Sequence, residues 1–138
     1  MAEKTFPAQL NRLDNVIRFV EEELGKMGCP SNEISAIDVC LEEVFVNVAH
    51  YAYPDGVGVA TVSVTPAEKD GISGVRVAIS DRGQPFNPLE RKDPDINAPA
   101  ERRNIGGLGI YMVKKMMDEV SYDYSDGWNI LTMVEYFE

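Results

Sequence analysis

The chain is poor in the residues that build staples and metal cages. Its 138 residues include only two cysteines, Cys29 and Cys40, with one histidine and one tryptophan. Two cysteines are too few for a disulfide framework and lack metal-ligand spacing, so both read as reduced thiols. No apolar run approaches the roughly 20 residues that a bilayer crossing needs. The start, Met1-Ala2-Glu3-Lys4, is not a basic region followed by an apolar stretch. No signal peptide is therefore expected, and the cytoplasm is the expected address. Positive charge is scarce too: 13 Lys and Arg stand against 23 Asp and Glu, a net charge of −10. That balance repels polyphosphate backbones and argues against direct nucleic-acid binding. Basic residues cluster only at Arg91-Lys92 and Arg102-Arg103, around a Pro- and Asp-rich stretch. Such a cluster suits a phosphorylated small molecule or an acidic partner, with plain solvated loop charge as the alternative.

What is present is enough apolar material for a core, 44% of residues, in a length that fits one domain spanning 1–138. Thr5-Phe6-Pro7-Ala8 suits an edge strand, where proline is tolerated. From Gln9 to about Lys26, Leu10, Leu13, Val16, Ile17, Val20 and Leu24 recur at three- and four-residue steps, which predicts an amphipathic helix. A second helix is expected after Pro30, with Ser31 as N-cap and Ile34, Ile37, Leu41, Val44 and Val48 as its buried stripe, ending near Tyr51. Val57 to Thr65 and Val75 to Ser80 alternate as strands, joined at Glu68-Lys69-Asp70-Gly71. Residues 81–105 have no period and hold Pro85, Pro88, Pro94 and Pro99. A loop of that length inside a compact domain is usually functional. A third helix is expected from Leu108 to about Val120, with Ile110, Val113, Met116 and Met117 inward. Ser121–Tyr124 and Asn129–Phe137 then close as a pair about Ser125-Asp126-Gly127. Helices and antiparallel strands are grouped rather than alternating. The expected fold class is therefore α+β, a two-layer sandwich of a mostly antiparallel sheet with helices on one face.

Three short segments carry chemistry. Glu43-Val44-Phe45-Val46-Asn47 puts Glu43 and Asn47 four residues apart, one above the other on a helix. An Asn carboxamide oxygen suits magnesium, which keeps several waters and takes few protein ligands, and a nearby carboxylate can polarise a nucleophile. A polar helix stripe contains the same spacing by default. Asp81-Arg82-Gly83 ends a Val/Ile strand. There a carboxylate can accept from an exocyclic amine, and Gly83 lets backbone approach a flat ring. An ordinary strand-to-loop turn is the alternative. Gly106-Gly107-Leu108-Gly109 runs into the third helix, whose N-terminal amides suit phosphate, although it matches neither GxGxxG nor a Walker A loop.

Taken in this order, with the long loop between the last two, these segments resemble the N, G1 and G2 boxes of the GHKL (Bergerat-fold) ATPases. The short length, the Glu-Val-Phe-Val-Asn run and the closing Asp126-Gly127-Trp128-Asn129-Ile130-Leu131-Thr132 are similar to the serine-kinase anti-sigma factor branch. The resemblance implies ATP and Mg2+ as cofactors. It makes Glu43 the general base, Asn47 the magnesium ligand, Asp81 the adenine reader and Gly83 its support. Gly106, Gly107, Leu108 and Gly109 would hold phosphate, and residues 87–105 would form the ATP lid. Two positions depart from the pattern. Tyr51 stands where many relatives have histidine, with His50 one place earlier, and Asn104 and Ile105 separate Arg103 from the glycines it would assist at the γ-phosphate. The activity implied is protein serine kinase. Its partners would be a STAS-type anti-anti-sigma protein as substrate and a sigma factor held in sequestration. A homodimer is implied as well, with no stretch of sequence that reads as its interface. Three other readings stand beside this one: a nucleotide-gated binding module without phosphotransfer, a detached histidine-kinase catalytic domain, and a non-enzymatic α+β scaffold.

Overall fold

A computed structural model of the chain describes residues 2–90 and 105–137. Five strands and three helices are present among the described residues. Strand β1 (Ala2–Pro7) is followed by a 3-10 turn (Leu10–Arg12), α1 (Leu13–Lys26) and α2 (Ser31–Tyr51). A hairpin of β2 (Val59–Lys69) and β3 (Ile72–Asp81) comes next, then α3 (Ile105–Met116) and a second hairpin of β4 (Glu119–Ser125) and β5 (Trp128–Tyr136). The sheet order is β1-β2-β3-β5-β4 and every neighbouring pair is antiparallel. The α+β two-layer reading holds.

Alternation in the strands explains the layering. Ala60, Val62 and Val64 of β2, Val75, Val77 and Ile79 of β3, and Leu131 and Met133 of β5 are buried beneath the helices. Their alternates, Thr61, Ser63, Ala78, Ser80 and Thr132, carry small or hydroxylated side chains on the other face. Both hairpins turn through an Asp-Gly pair with positive φ at each residue, Asp70 (52°) and Gly71 (82°), then Asp126 (54°) and Gly127 (84°). Two consecutive left-handed residues match the right-handed twist of the flanking strands, and Asp-Gly tolerates them best. Pro66 lies within β2 but past the reach of β1, whose pairing ends at Val64, so its missing N–H interrupts no ladder there.

Three expectations need correction. Ser31 does not cap α2. Extended Pro30 occupies that position without a side-chain bond, and its carbonyl accepts from the N–H groups of Glu33 and Ile34, both at 3.0 Å. Leu10 is half exposed in the 3-10 turn, because α1 starts only at Leu13 and turns Val16, Val20 and Leu24 inward. The buried stripe of α2 is Ile37, Cys40, Leu41, Val44 and Phe45, with Ile34 and Val48 only half buried. That stripe is broad because α2 is the middle helix, packed between α1 and α3 over the sheet.

Two carboxyls sit awkwardly in this packing. Asp38 on α2 has its Oδ1 sealed from solvent with no hydrogen-bond partner among the described residues. Burial, then the Glu21 carboxyl beside it, pushes Asp38 up to about 7. Glu135 of β5 is pushed up to about 8, chiefly by burial and then by Glu33, although it accepts from the Asp118 N–H at 2.9 Å. Asp118 Oδ2 in turn accepts from the Tyr136 N–H at 2.7 Å, which clasps the start of β4 to the end of β5. In the unfolded chain such groups titrate near about 4. A carboxyl whose folded pKa is raised stabilises the native state most fully below the unfolded value, and that stability is lost as pH rises through the folded value. Urea melts should therefore show stability declining between about pH 4 and pH 8 from these two sites. Asp38→Asn should flatten part of that slope, and an unchanged slope would remove Asp38 as a cause.

Candidate functional site

The site gathers where β3 ends, β5 begins and α2 stops. Asp81 is the last residue of β3 and pairs across the ladder with Asn129 of β5. Both are buried, at 4% and 6% exposure, which is unusual for charged and amide side chains. The Asn129 amide donates at 2.9 Å to Asp81 Oδ1 and at 3.0 Å to the Gln84 carbonyl, with a longer 3.4 Å contact to the Gly83 carbonyl. Its Oδ1 accepts from the Phe86 N–H at 3.2 Å and from the Tyr122 hydroxyl. The Gly83 N–H donates to Asp81 Oδ1 at 2.9 Å. Burial raises the Asp81 pKa, while Asn129 and Gly83 pull it back by bonding the charged form.

The same loop is fastened to the end of α2. Gln84 donates its N–H to the Ala52 carbonyl at 2.8 Å and its side-chain amide to the Tyr51 carbonyl at 2.7 Å. Those carbonyls belong to the last residue of α2 and its C-cap, where the helix leaves them without partners. A Cβ at Gly83 would run into the Ala52 carbonyl, so only glycine allows this approach. Tyr53 adds a strap, accepting from the Arg82 N–H at 2.9 Å and donating to the Val59 carbonyl at 2.6 Å.

Asp81 and Asn129 form the polar end of a pocket whose apolar walls include Val44, Val48, Ile79 and Leu131. The pocket is partly open to solvent. The Gly83 N–H and the Asn129 amide both bond Oδ1 of the Asp81 carboxylate, which leaves Oδ2 for a donor brought by a ligand. A flat, mostly apolar ring carrying one amino group matches these walls and that acceptor. Asn47 lines the same pocket. Glu43, one turn earlier on α2, lies instead against Gly109 of α3. His50 is exposed, with its ring 6.0 Å from that of Tyr51. Among the described residues no group of three or more His, Cys, Asp or Glu gathers into a cage, so a cation here would depend on Asn47 and on its ligand's own oxygens.

Asn47 and Asp81 are thus brought to one pocket, Gly83 bonds Asp81 without lining it, and Glu43 and Gly109 meet where α2 and α3 touch. Helix α3 begins at Ile105 rather than Leu108, so Gly106, Gly107 and Leu108 belong to its first turn instead of leading into it. It also stops at Met116, because the chain enters β4 at Glu119. Arg103 lies outside the described residues, as does most of the 87–105 segment. Its start forms one 3-10 turn at Pro88–Glu90, opened by a bond from the Leu89 N–H to Asn87 Oδ1 at 2.9 Å. The sequence reading missed Asn129, Tyr122, Tyr53 and Gln84 as site residues. A signal for Asn129, though not for its partner, was present: a lone amide in an Ile/Leu/Val strand, one residue removed from an Asp-Gly turn.

The family described as "Histidine kinase-like ATPase domain" matches residues 6–135. The chain is 28% identical over 117 residues to the serine-protein kinase RsbW of Bacillus cereus (strain ATCC 10987 / NRS 248), covering 82% of this chain and 70% of that one. It is 26% identical, with the same coverage, to the RsbW of Bacillus mycoides (strain KBAB4). Among solved structures it is similar to that of the RsbU and RsbW domains of Rv1364c from Mycobacterium tuberculosis, at a TM-score of 0.59 and 19% identity. That match covers 98% of this chain and 32% of the other. It is also similar to a chain of the SiaB–SiaC complex from Pseudomonas aeruginosa, at a TM-score of 0.55 and 16% identity, covering 99% and 90% of the two chains.

Asn129→Ala should cost about 1–3 kcal/mol, because it strips a buried carboxylate and two loop carbonyls of their donor. Urea melts of the variant should show that loss, and parental stability would mean that the amide is dispensable to the loop.

Proposed function

This chain belongs to the histidine kinase-like ATPase domain family, and we propose that within it the protein is an ATP-dependent protein serine kinase and anti-sigma factor. The observation that carries this reading is the buried Asp81 carboxylate, bonded on Oδ1 and lining a largely apolar pocket. Similarity to the RsbW serine-protein kinases supports the choice of activity. The substrate class is a STAS-type anti-anti-sigma protein, and the second partner is a sigma factor.

The residues divide the work. Asp81 accepts the adenine amine, and Asn129 and Gly83 hold it in place to do so. Asn47 ligates magnesium. Glu43, one helical turn away, takes the proton from the attacking serine hydroxyl. Gly106, Gly107 and Leu108 bring the first turn of α3 close to phosphate, where helix N-terminal amides favour an anion, and Gly109 follows in the next turn. Arg103 and the 87–105 lid close over it and exclude water. ATP with Mg2+, when bound, supplies the transferable phosphoryl group and neutralises its charge. A nucleotide-gated module without transfer uses the same pocket and differs only in whether Glu43 acts.

ATP with Mg2+ should raise the melting temperature far more than GTP does, since a carboxylate at Asp81 repels the guanine carbonyl. Asp81→Asn should remove most of that shift, and equal shifts with the two nucleotides would sink the adenine assignment. Glu43→Gln should bind ATP normally yet lose transfer of label from ATP to a STAS-domain protein by about a hundredfold or more, as expected for a residue acting in the transition state. Transfer at the parental rate would move the base elsewhere, with Glu42 the first residue to test.

A further inference from the structure

The crossing of α2 and α3 is narrow at one point. Cys40 Sγ of α2 reaches Met116 Sδ of α3 at 4.0 Å. One turn on along α2, Glu43 meets Gly109, which lies two turns back along α3. The three atoms that a Cβ at Gly109 would meet first, Oε2, Cδ and Cγ, all belong to the Glu43 side chain. Gly109 is itself buried. Among the described residues the salt bridges are Lys26–Glu23 and Lys69–Glu119, and Glu43 is in neither.

This contact differs in kind from those at Gly74 and Gly83. A side chain at Gly83 would strike the Ala52 backbone, and one at Gly74 the Glu135 and Tyr136 backbone, so substitution there must displace the chain. At Gly109 the obstacle is the far end of a flexible side chain. Alanine there can be accommodated by swinging Glu43 aside, and alanine is also the better helix former. Gly109 is therefore spared a side chain for the sake of where Glu43 points, not for the fold.

We propose that Gly109 is a positioning residue for Glu43, its missing side chain forming the seat that holds the carboxylate at its working place. The inference deepens the reading of Glu43 as general base and rests on it for its functional consequence. This role is separate from holding phosphate. Loss of a phosphate contact weakens ATP binding, whereas loss of the seat spares binding and slows chemistry.

The test uses the full chain with Gly109→Ala, Glu43→Gln and the double variant. In protein labelled with 13C at glutamate carboxyls, the Glu43 signal is the one absent from Glu43→Gln. That signal should shift in Gly109→Ala without nucleotide, while the melting temperature stays within about 2 °C of the parent. ATP affinity by calorimetry should change less than about threefold, and single-turnover consumption of labelled ATP should fall at least about tenfold. The double variant should be no slower than Glu43→Gln alone, because the two changes disable one unit. An unmoved Glu43 signal, additive losses in the double variant, or a loss of ATP affinity that matches the loss of turnover would each overturn the seat. If Gly109→Ala fails to fold, adding Glu43→Ala should restore the parental melt, and failure to do so would also overturn it. A parental chain that consumes no ATP would refute the kinase reading, leaving the seat to be judged on the carboxyl signal and the melts.

Discussion

A buried carboxylate must be matched by donors, and the organisation of this site follows from how Asp81 is matched. Ionised and out of water, it would be expensive to keep. Asn129 and the Gly83 N–H meet that cost on one oxygen only. The same Asn129 amide reaches the Gln84 carbonyl, and its oxygen takes the Phe86 N–H, so the side chain that holds Asp81 also shapes the loop beyond it. Gln84 then carries the loop to the open carbonyls at the end of α2, the helix that bears Glu43 and Asn47. One buried amide thus ties the Asp81 end of the pocket to α2. A loop held at so many points costs little ordering when a ligand arrives, which favours affinity.

Close approaches make the rest possible. Gly83 lets the loop touch the Ala52 carbonyl, and Gly109 lets Glu43 lie against α3. Each sits where two elements distant in sequence meet, and each would be replaced by alanine if local propensity alone decided. The two differ in what an added methyl would hit, backbone in one case and a flexible carboxylate in the other. That difference separates a glycine required by the fold from one required by the orientation of a neighbour.

Much of this was legible in the sequence. Strand alternation in β2 and β3, the inward residues of α1 and the two Asp-Gly turns are local patterns, and they survive folding because neighbouring residues determine them. Asp81-Arg82-Gly83 was legible for the same reason, as a short motif at a strand end. Asn129 was not. Its partner is set by β3 pairing with β5, a contact made across α3 and β4, and no local rule reports it. The start of α3 was misplaced because three glycines argue against helix by propensity, whereas packing of α3 on α2 outweighs that cost. The breadth of the α2 stripe was likewise invisible until both flanking helices were known. Ser31 shows the opposite error, a favourable local cap displaced by the geometry of Pro30.

The central claim is that Asp81, held by Asn129, reads an amino group on a purine. The most direct measurement is calorimetric, comparing ATP with purine riboside triphosphate, which differs only in lacking the 6-amino group. A hydrogen bond to a buried charged group contributes about 1.5–3 kcal/mol, so the analogue should bind about ten- to a hundredfold more weakly. The gap should close in Asp81→Asn or Asp81→Ala, whose lost carboxylate no longer distinguishes the two. Equal affinity of the parent chain for both nucleotides would contradict the account.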